Sequence, residues 1–434
     1  MIHEATLKDG DLFGAAVELD ITPPVGTFLD GYAERHEPSK GVHDPLRGQL
    51  LLLRSAQAQV ALISLDLLGV NPEFVQRVRQ GIEEAIGVPA ACVLIACSHT
   101  HSGPAGFLDD IPGLLSQPDP ELQAAVAGKL VGAACWAQEI LQPASAGVSR
   151  GRVEGIGRNR NDPEHGPADP EVLVLRIDDQ HGSPLAVWMN YGCHPTVMGH
   201  DNLLISADYP GAARAALQRL FPQTVFLYAN GASGDVSTRF LRRSQAFAEV
   251  ERLGLLLAGE VLQCMAAATP MAEVELAGRR QMVDLPFRRF PSPEDAAAEI
   301  ARLQAQLGAL KASGASHGEF RRVFTRVEGA TAQHLLASTF AGRTHRPVQV
   351  QAIRIGGLVL VGLPGEPFTR TVLEIKARSA AAATAVVSYA NDEAGYFPDA
   401  ASAEQGTYEA MVSPFGPDVS EQLRDVALQL MSEV

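Results

Sequence analysis

The sequence predicts an α/β fold: a central mixed β-sheet flanked by helices, with a chemical site where strands end. Three observations predict it. Short apolar runs recur along the chain, and each leads into a turn rich in Gly or Pro. Helical segments with recognisable caps lie between them. The turns themselves carry His, Asp, Glu and Tyr, the residue types that do chemistry. In α/β proteins ligands collect where loops diverge from strand ends.

The elements follow in order. Gln59 to Leu68 reads as a strand, and Asn71-Pro72 then opens a helix through Ile86 that ends at Gly87. Val93-Leu94-Ile95-Ala96 is a buried strand leading into His99-Thr100-His101-Ser102-Gly103-Pro104. An extended backbone there would point residues i and i+2 to one side, so both imidazoles would project together before Gly103-Pro104 turns the chain. Such a pair suits a metal or substrate; a hydrogen-bonded structural pair is the alternative. Asp119-Pro120 begins a second helix, ending near Leu141. Trp188 to Tyr191 leads into Gly192-Cys193-His194-Pro195-Thr196, and Tyr209 to Leu220 has helical spacing. Val225 to Tyr228 leads into Asn230-Gly231-Ala232-Ser233-Gly234-Asp235-Val236-Ser237, followed by a helix over Ala246 to Ala267. Ser292-Pro293-Glu294-Asp295 caps a surface helix, Ala296 to Lys311, which Gly314-Ala315-Ser316-His317-Gly318 breaks. Residues 290–340 therefore form a helical excursion, either covering the site or packing only. Leu358 to Val361 leads into Gly362-Leu363-Pro364-Gly365-Glu366, and Val386 to Tyr389 into Asn391-Asp392-Glu393-Ala394-Gly395-Tyr396. Five strand-to-turn units of one kind point to a shared site.

These blocks, in this order, resemble the catalytic domain of the neutral (non-lysosomal) ceramidases, a family of zinc-dependent amidases. The resemblance runs from Val17-Glu18-Leu19-Asp20-Ile21-Thr22-Pro23 to Tyr408-Glu409-Ala410 and is weaker around 270–345. It rests on His99 to Pro104, Asn159-Arg160, His194-Pro195-Thr196, Gly234-Asp235-Val236-Ser237, Pro364-Gly365-Glu366, and Tyr396 with Tyr408. Carried over by position, it implies one zinc ion per chain held by His99, His194, Glu366 and Tyr396. It also implies that His101 stands beside the metal, with Arg160 and Tyr408 lining the reaction centre and Ser237 important. Zinc chemistry agrees for imidazole and carboxylate, while tyrosine is an uncommon ligand. Tyr396 could instead be a buried phenol, and Glu366, with Pro367 behind it, a helix-start carboxylate.

The chemistry implied is hydrolysis of an N-acyl amide bond. Zinc lowers the pKa of a bound water to about 7, giving a hydroxide that attacks the carbonyl. Tyr408 and His101 are candidates to stabilise the oxyanion, His101 to shuttle the proton, and Arg160 to orient the substrate. Ser237 is either a nucleophile or a turn hydroxyl supporting the site; a nucleophilic serine needs an adjacent base and the metal already supplies an activated water, so support is favoured. The alternatives are a zinc esterase, lactonase or carbamate hydrolase, and a non-catalytic metal-containing binding protein.

Composition fits an enzyme acting on a small-molecule or lipid-like N-acyl substrate. The 434 residues are 46% hydrophobic and 20% charged, enough for a large core. A net charge of −15 argues against nucleic acid as a partner. The five cysteines lack C-x-x-C spacing, which reads as reduced thiols and a cytoplasmic protein. No secretory leader or transmembrane run stands out. Many ceramidases are secreted and carry a β-sandwich domain beyond the position of Tyr408. The expectation is therefore a single catalytic domain over 1–434 that prefers a soluble N-acyl compound to ceramide, within lipid metabolism broadly. Homo-oligomerisation is left open. Arg239, Arg242 and Arg243 form a basic cluster, read as a solvated surface before an anion contact.

Overall fold

The strand Leu12–Asp20 lies inside a nine-stranded mixed sheet. On one side it pairs antiparallel with Arg47–Arg54, which pairs antiparallel with Gln59–Leu65, and that strand runs parallel to Val93–Cys97. On the other side come Gln142–Arg152, Glu171–Asp179, Pro184–Tyr191 and Val225–Asn230, the last pair parallel. A second sheet of four strands is built from Leu276–Pro286, His345–Ile355, Leu358–Gly362 and Ala383–Val387. The computed structural model describes residues 11–109, 117–314 and 317–434. The break expected over Gly314–Gly318 falls partly outside them, as do the first ten residues.

Alternation along the strands shows how the layers stack. Leu173, Leu175 and Ile177 enter the largest core, while Val172 and Val174 on the opposite face meet the helices Asp208–Leu220 and Phe247–Ala267. In the second sheet, Ile353, Leu358 and Leu360 enter that same large core. Val350, Val359 and Val361 instead meet the helices Thr369–Arg378 and Asp418–Ser432. The two sheets thus share one apolar interior, and helices cover their outer faces, a period-two pattern of half-shared strands. Leu50 to Leu53 are fully buried on both faces, as an internal strand requires.

The helix ends follow the expected devices. Asn71 Oδ1 accepts from Phe74 N at 2.9 Å before Pro72–Ile86, and Gly87 closes it in the left-handed conformation. Asp119 and Ser292 cap Pro120–Glu139 and Pro293–Ser313 in the same way. The excursion is a pair of helices, Pro293–Ser313 and His317–Thr339. The second lies against the short helix Tyr408–Val412: a Cβ on Gly329 would stand 2.7 Å from Met411 Cε. The excursion therefore flanks the segment that carries Tyr408. No described helix is long and apolar enough to cross a membrane.

What positions the site is the convergence of strand ends from both sheets. Cys97 N donates to Tyr389 O, and Ser388 N donates to Asn230 O. Asn230 Nδ2 reaches Ser98 O, and Asn190 Nδ2 reaches Val386 O at 3.1 Å. Three turns that are distant in sequence are thereby pinned to one another.

Candidate metal centre

His99 follows the strand Val93–Cys97, but its backbone is not extended. Its φ is 66°, in the left-handed region that side chains with a Cβ disfavour. The expected i, i+2 projection from an extended strand is therefore corrected. His99 N donates to Leu67 O and the ring Nδ1 donates to Leu68 O at 2.7 Å, which bends the chain out of the strand. The outcome for the rings survives: those of His99 and His101 lie 4.8 Å apart, nearly perpendicular.

His194 arrives from the end of Pro184–Tyr191. Its ring Nδ1 donates to Ser233 O at 2.6 Å, and its ring lies 4.8 Å from that of His99. A carbonyl oxygen can only accept, so Nδ1 of both His99 and His194 carries the proton. The Nε2 lone pairs are then free, the tautomer that a metal ligand needs. The Nε2 atoms of His99, His101 and His194 are buried without a hydrogen bond, and ligating atoms from the three rings lie within 4.8 Å of one another. Burial is the largest influence on each ring and holds all three pKa values well below 6.5, so the rings are neutral.

Glu366 supplies the negative charge. Its Oε2 lies 3.0 Å from His194 Nε2 and 3.8 Å from His99 Nε2. Those contacts are not aligned as hydrogen bonds, which is what neutral imidazoles turning lone pairs toward a carboxylate look like. Three imidazole nitrogens left unpaired in a buried space beside a carboxylate would be costly unless a cation shared them. The site fits a divalent ion with nitrogen and oxygen preference, such as zinc. Burial raises the Glu366 carboxyl pKa, with His99 and Arg160 opposing. Glu366 is not a helix-start residue: it lies in the short strand Glu366–Pro367, and the next helix starts at Thr369 behind Phe368.

That short strand pairs with Tyr396–Phe397 in a register that sets Glu366 directly beside Tyr396. The Tyr396 ring is stacked near His194, and its phenol oxygen accepts from Arg160 Nη2 at 3.1 Å. Arg160 also donates to Gly234 O and forms a buried ion pair with Glu409 at 2.5 Å. Burial works against the guanidinium charge, but Glu409 and Tyr396 outweigh it and hold the pKa well above its usual value. Tyr408 begins the helix Tyr408–Val412 and is 37% exposed, at the rim rather than the floor. Ser237 is buried beside His194 in a β-bridge. Its hydroxyl accepts from Arg239 N and so caps a single 3₁₀ turn, the supporting geometry. Of the basic cluster, the Arg242 guanidinium donates to Thr196 O, a structural contact, while Arg239 and Arg243 are exposed.

Sequence reasoning gave no role to three residues here. Tyr389, at the end of Ala383–Val387, stacks on His99 at 3.8 Å and contacts Glu366. Glu409 was visible only as the neighbour of Tyr408. Asp235 stood inside the Gly234–Ser237 block; it accepts from Asn159 Nδ2 and from Thr369 N, tying the Arg160 turn to the segment after Glu366.

A family model described as neutral/alkaline non-lysosomal ceramidase, N-terminal, matches residues 12–246. The chain belongs to this family. Neutral ceramidase A of Dictyostelium discoideum is 30% identical over 213 residues, covering 45% of this chain and 30% of the relative. Neutral ceramidase of Mycobacterium tuberculosis is 24% identical over 400 residues, covering 78% of this chain and 62% of the relative. The chain thus spans less than two thirds of the length of these curated relatives. Among solved structures, neutral ceramidase from Pseudomonas aeruginosa superposes with a TM-score of 0.78 at 20% identity, over 98% of this chain and 75% of that one. That likeness establishes the fold, including the part beyond residue 246 that carries Glu366, Tyr396 and Tyr408.

Proposed function

We propose that this protein is a zinc-dependent amidohydrolase that cleaves the N-acyl bond of a lipid-like or small-molecule amide. One observation carries the reading: three neutral imidazoles with buried Nε2 atoms and one carboxylate oxygen converge without hydrogen bonds among them. Family membership supports the same chemistry. His99, His194 and Glu366 would hold the ion, with Tyr396 completing the set from its place beside Glu366. Bound zinc would supply a Lewis acid for the amide carbonyl and a water acidified toward neutrality.

The chain's own groups divide the remaining work. Arg160 is permanently charged and fixed from one side by Glu409, so its position is set before substrate arrives. It orients a polar oxygen of the substrate. His101 is neutral at pH 7, and its Nε2 is free to take a proton and return it to the departing amine. Tyr408 keeps its phenolic proton, since burial and Glu328 push its pKa up to about 12. It can therefore donate to an oxygen that gains negative charge. Ser237, committed to its turn and without an adjacent base among its hydrogen-bond partners, supports His194 rather than attacking.

Purified protein assayed against short- and long-chain N-acyl amides, their ester counterparts and liposomal ceramide tests the assignment. Amide cleavage that disappears on chelation and returns with Zn²⁺ is expected. Ester cleavage alone, or amide cleavage indifferent to chelation, would overturn it.

A further inference from the structure

Tyr389 touches His99, Glu366 and Ser233, yet nothing in the chemistry above uses it. Its ring lies flat on His99, centroids 3.8 Å apart and planes within 10°. Its hydroxyl lies 3.2 Å from Glu366 Oε2, the same oxygen that faces His99 and His194. The hydroxyl also lies 2.6 Å from Ser233 Oγ, and Ser233 O holds the His194 ring. One side chain is therefore linked directly to His99 and Glu366, and through Ser233 to His194, three of the four groups that would bind the ion.

The direction of these bonds follows from their chemistry. An ionised carboxylate only accepts, so Tyr389 donates its proton to Glu366, and Ser233 donates to Tyr389. That takes up one lone pair of Oε2 and turns the other toward the imidazoles. Fixing which oxygen faces the centre, and at which angle, is the work that outlying partners do for metal ligands.

A second observation points the same way. Tyr389 has a φ of 53° and His99 one of 66°, so two non-glycine residues in left-handed conformations are stacked on each other. Such strain persists only where surrounding structure enforces it. Here it is enforced by Cys97 N to Tyr389 O and Tyr389 N to Gly365 O, which fix Tyr389 between His99 and the Glu366 turn.

We propose that Tyr389 is the positioning residue of the metal centre, holding Glu366 Oε2 and the His99 ring in the arrangement that binds the ion, with Ser233 as its relay. This rests on the reading of the centre as a metal site. The test uses the full chain as wild type, Tyr389→Phe, Ser233→Ala and the double variant. Zn²⁺ affinity is read by competition with a chromogenic chelator, and the visible spectrum of the Co²⁺-loaded protein reads ligand geometry. Tyr389→Phe keeps the stacked ring and removes one hydroxyl. It should lose about 10–100-fold in Zn²⁺ affinity, the usual effect of removing such a partner, and shift the Co²⁺ bands. Ser233→Ala should lose less, and the double variant should match Tyr389→Phe, because both act through one chain of bonds. Tyr389→Phe within about twofold of wild type, or losses that multiply in the double variant, would overturn the proposal. If Tyr389→Phe fails to fold, unchanged affinity in Ser233→Ala does the same. A wild type that binds no Zn²⁺ refutes the metal reading itself, a result distinct from either.

Discussion

Replacing Glu409 by Gln removes one charge from a buried pair and keeps its shape. Arg160 Nε lies 2.5 Å from Glu409 Oε1, with the side chains only 10% and 2% exposed. The other carboxylate oxygen accepts from Asn161 Nδ2 at 3.1 Å, a bond that an amide oxygen can replace. What is lost is the counter-charge of a buried guanidinium. Removing one partner of such a pair costs about 3–5 kcal/mol, because the remaining charge stays buried. With an unfolding entropy of about 2.1 cal/mol/K per residue, 434 residues give about 0.9 kcal/mol/K. The expected fall in Tm is then roughly 3–6 °C, read by calorimetry on the metal-loaded chain. Activity should suffer more than stability, since Arg160 also reaches Tyr396 and Gly234 and loses its fixed orientation. A loss of about 10²-fold in kcat/KM is expected, a misplacement effect. If Tm moves by less than about 1 °C and kcat/KM by less than about threefold, the pair does not position Arg160 and its assigned role is wrong.

Three further outcomes are expected. His99→Ala and His194→Ala should each strip zinc from purified protein, which wild type should carry at about one ion per chain by elemental analysis; full occupancy in both variants would mean the wrong histidines. Tyr408→Phe should keep the metal and lose about 10²–10³ in kcat with little change in KM, whereas Tyr396→Phe should lower zinc affinity as well, and the opposite pattern would exchange the two roles. In the metal-free chain His101 has a folded pKa held below its unfolded value of 6.5, chiefly by burial. The unfolded state then takes up its proton first, so this contribution is complete above pH 6.5 and lost as the pH falls below it. His101→Gln should therefore reduce the slope of stability against pH below that point by about one proton; an unchanged slope would mean His101 is already protonated when folded.

Much of this was legible because local chemistry dictates it. Asn71-Pro72 with Gly87, Asp119-Pro120 and Ser292-Pro293 mark helix ends through bonds made within a few residues. The His99, His194 and Glu366 turns were visible because each interrupts an apolar strand with polar residues and glycine. What the sequence could not display is pairing across hundreds of residues. The left-handed bend at His99 depends on Leu67 and Leu68, and its stacking partner Tyr389 is fixed by Gly365 and Cys97. In sequence Tyr389 ends an apolar strand and looks like core. Glu409 looks like a solvated charge on a short helix, and only the folded chain buries it against Arg160. The short pairing of Glu366–Pro367 with Tyr396–Phe397 has no pattern of its own, being two residues long on each side.

The order in which these groups leave the ribosome has a consequence. His99 and His194 are synthesised, and can fold against their own sheet, long before Glu366 and Tyr389 exist. On the metal reading proposed above, a nascent chain at that stage would carry three imidazoles, His99, His101 and His194, without the carboxylate, and bare imidazoles favour copper over zinc. The carboxylate of Glu366 comes only with the second sheet, together with Tyr389. Discrimination among metals would then belong to the last stage of folding, with ions taken up early replaced or released as the late segment closes over them.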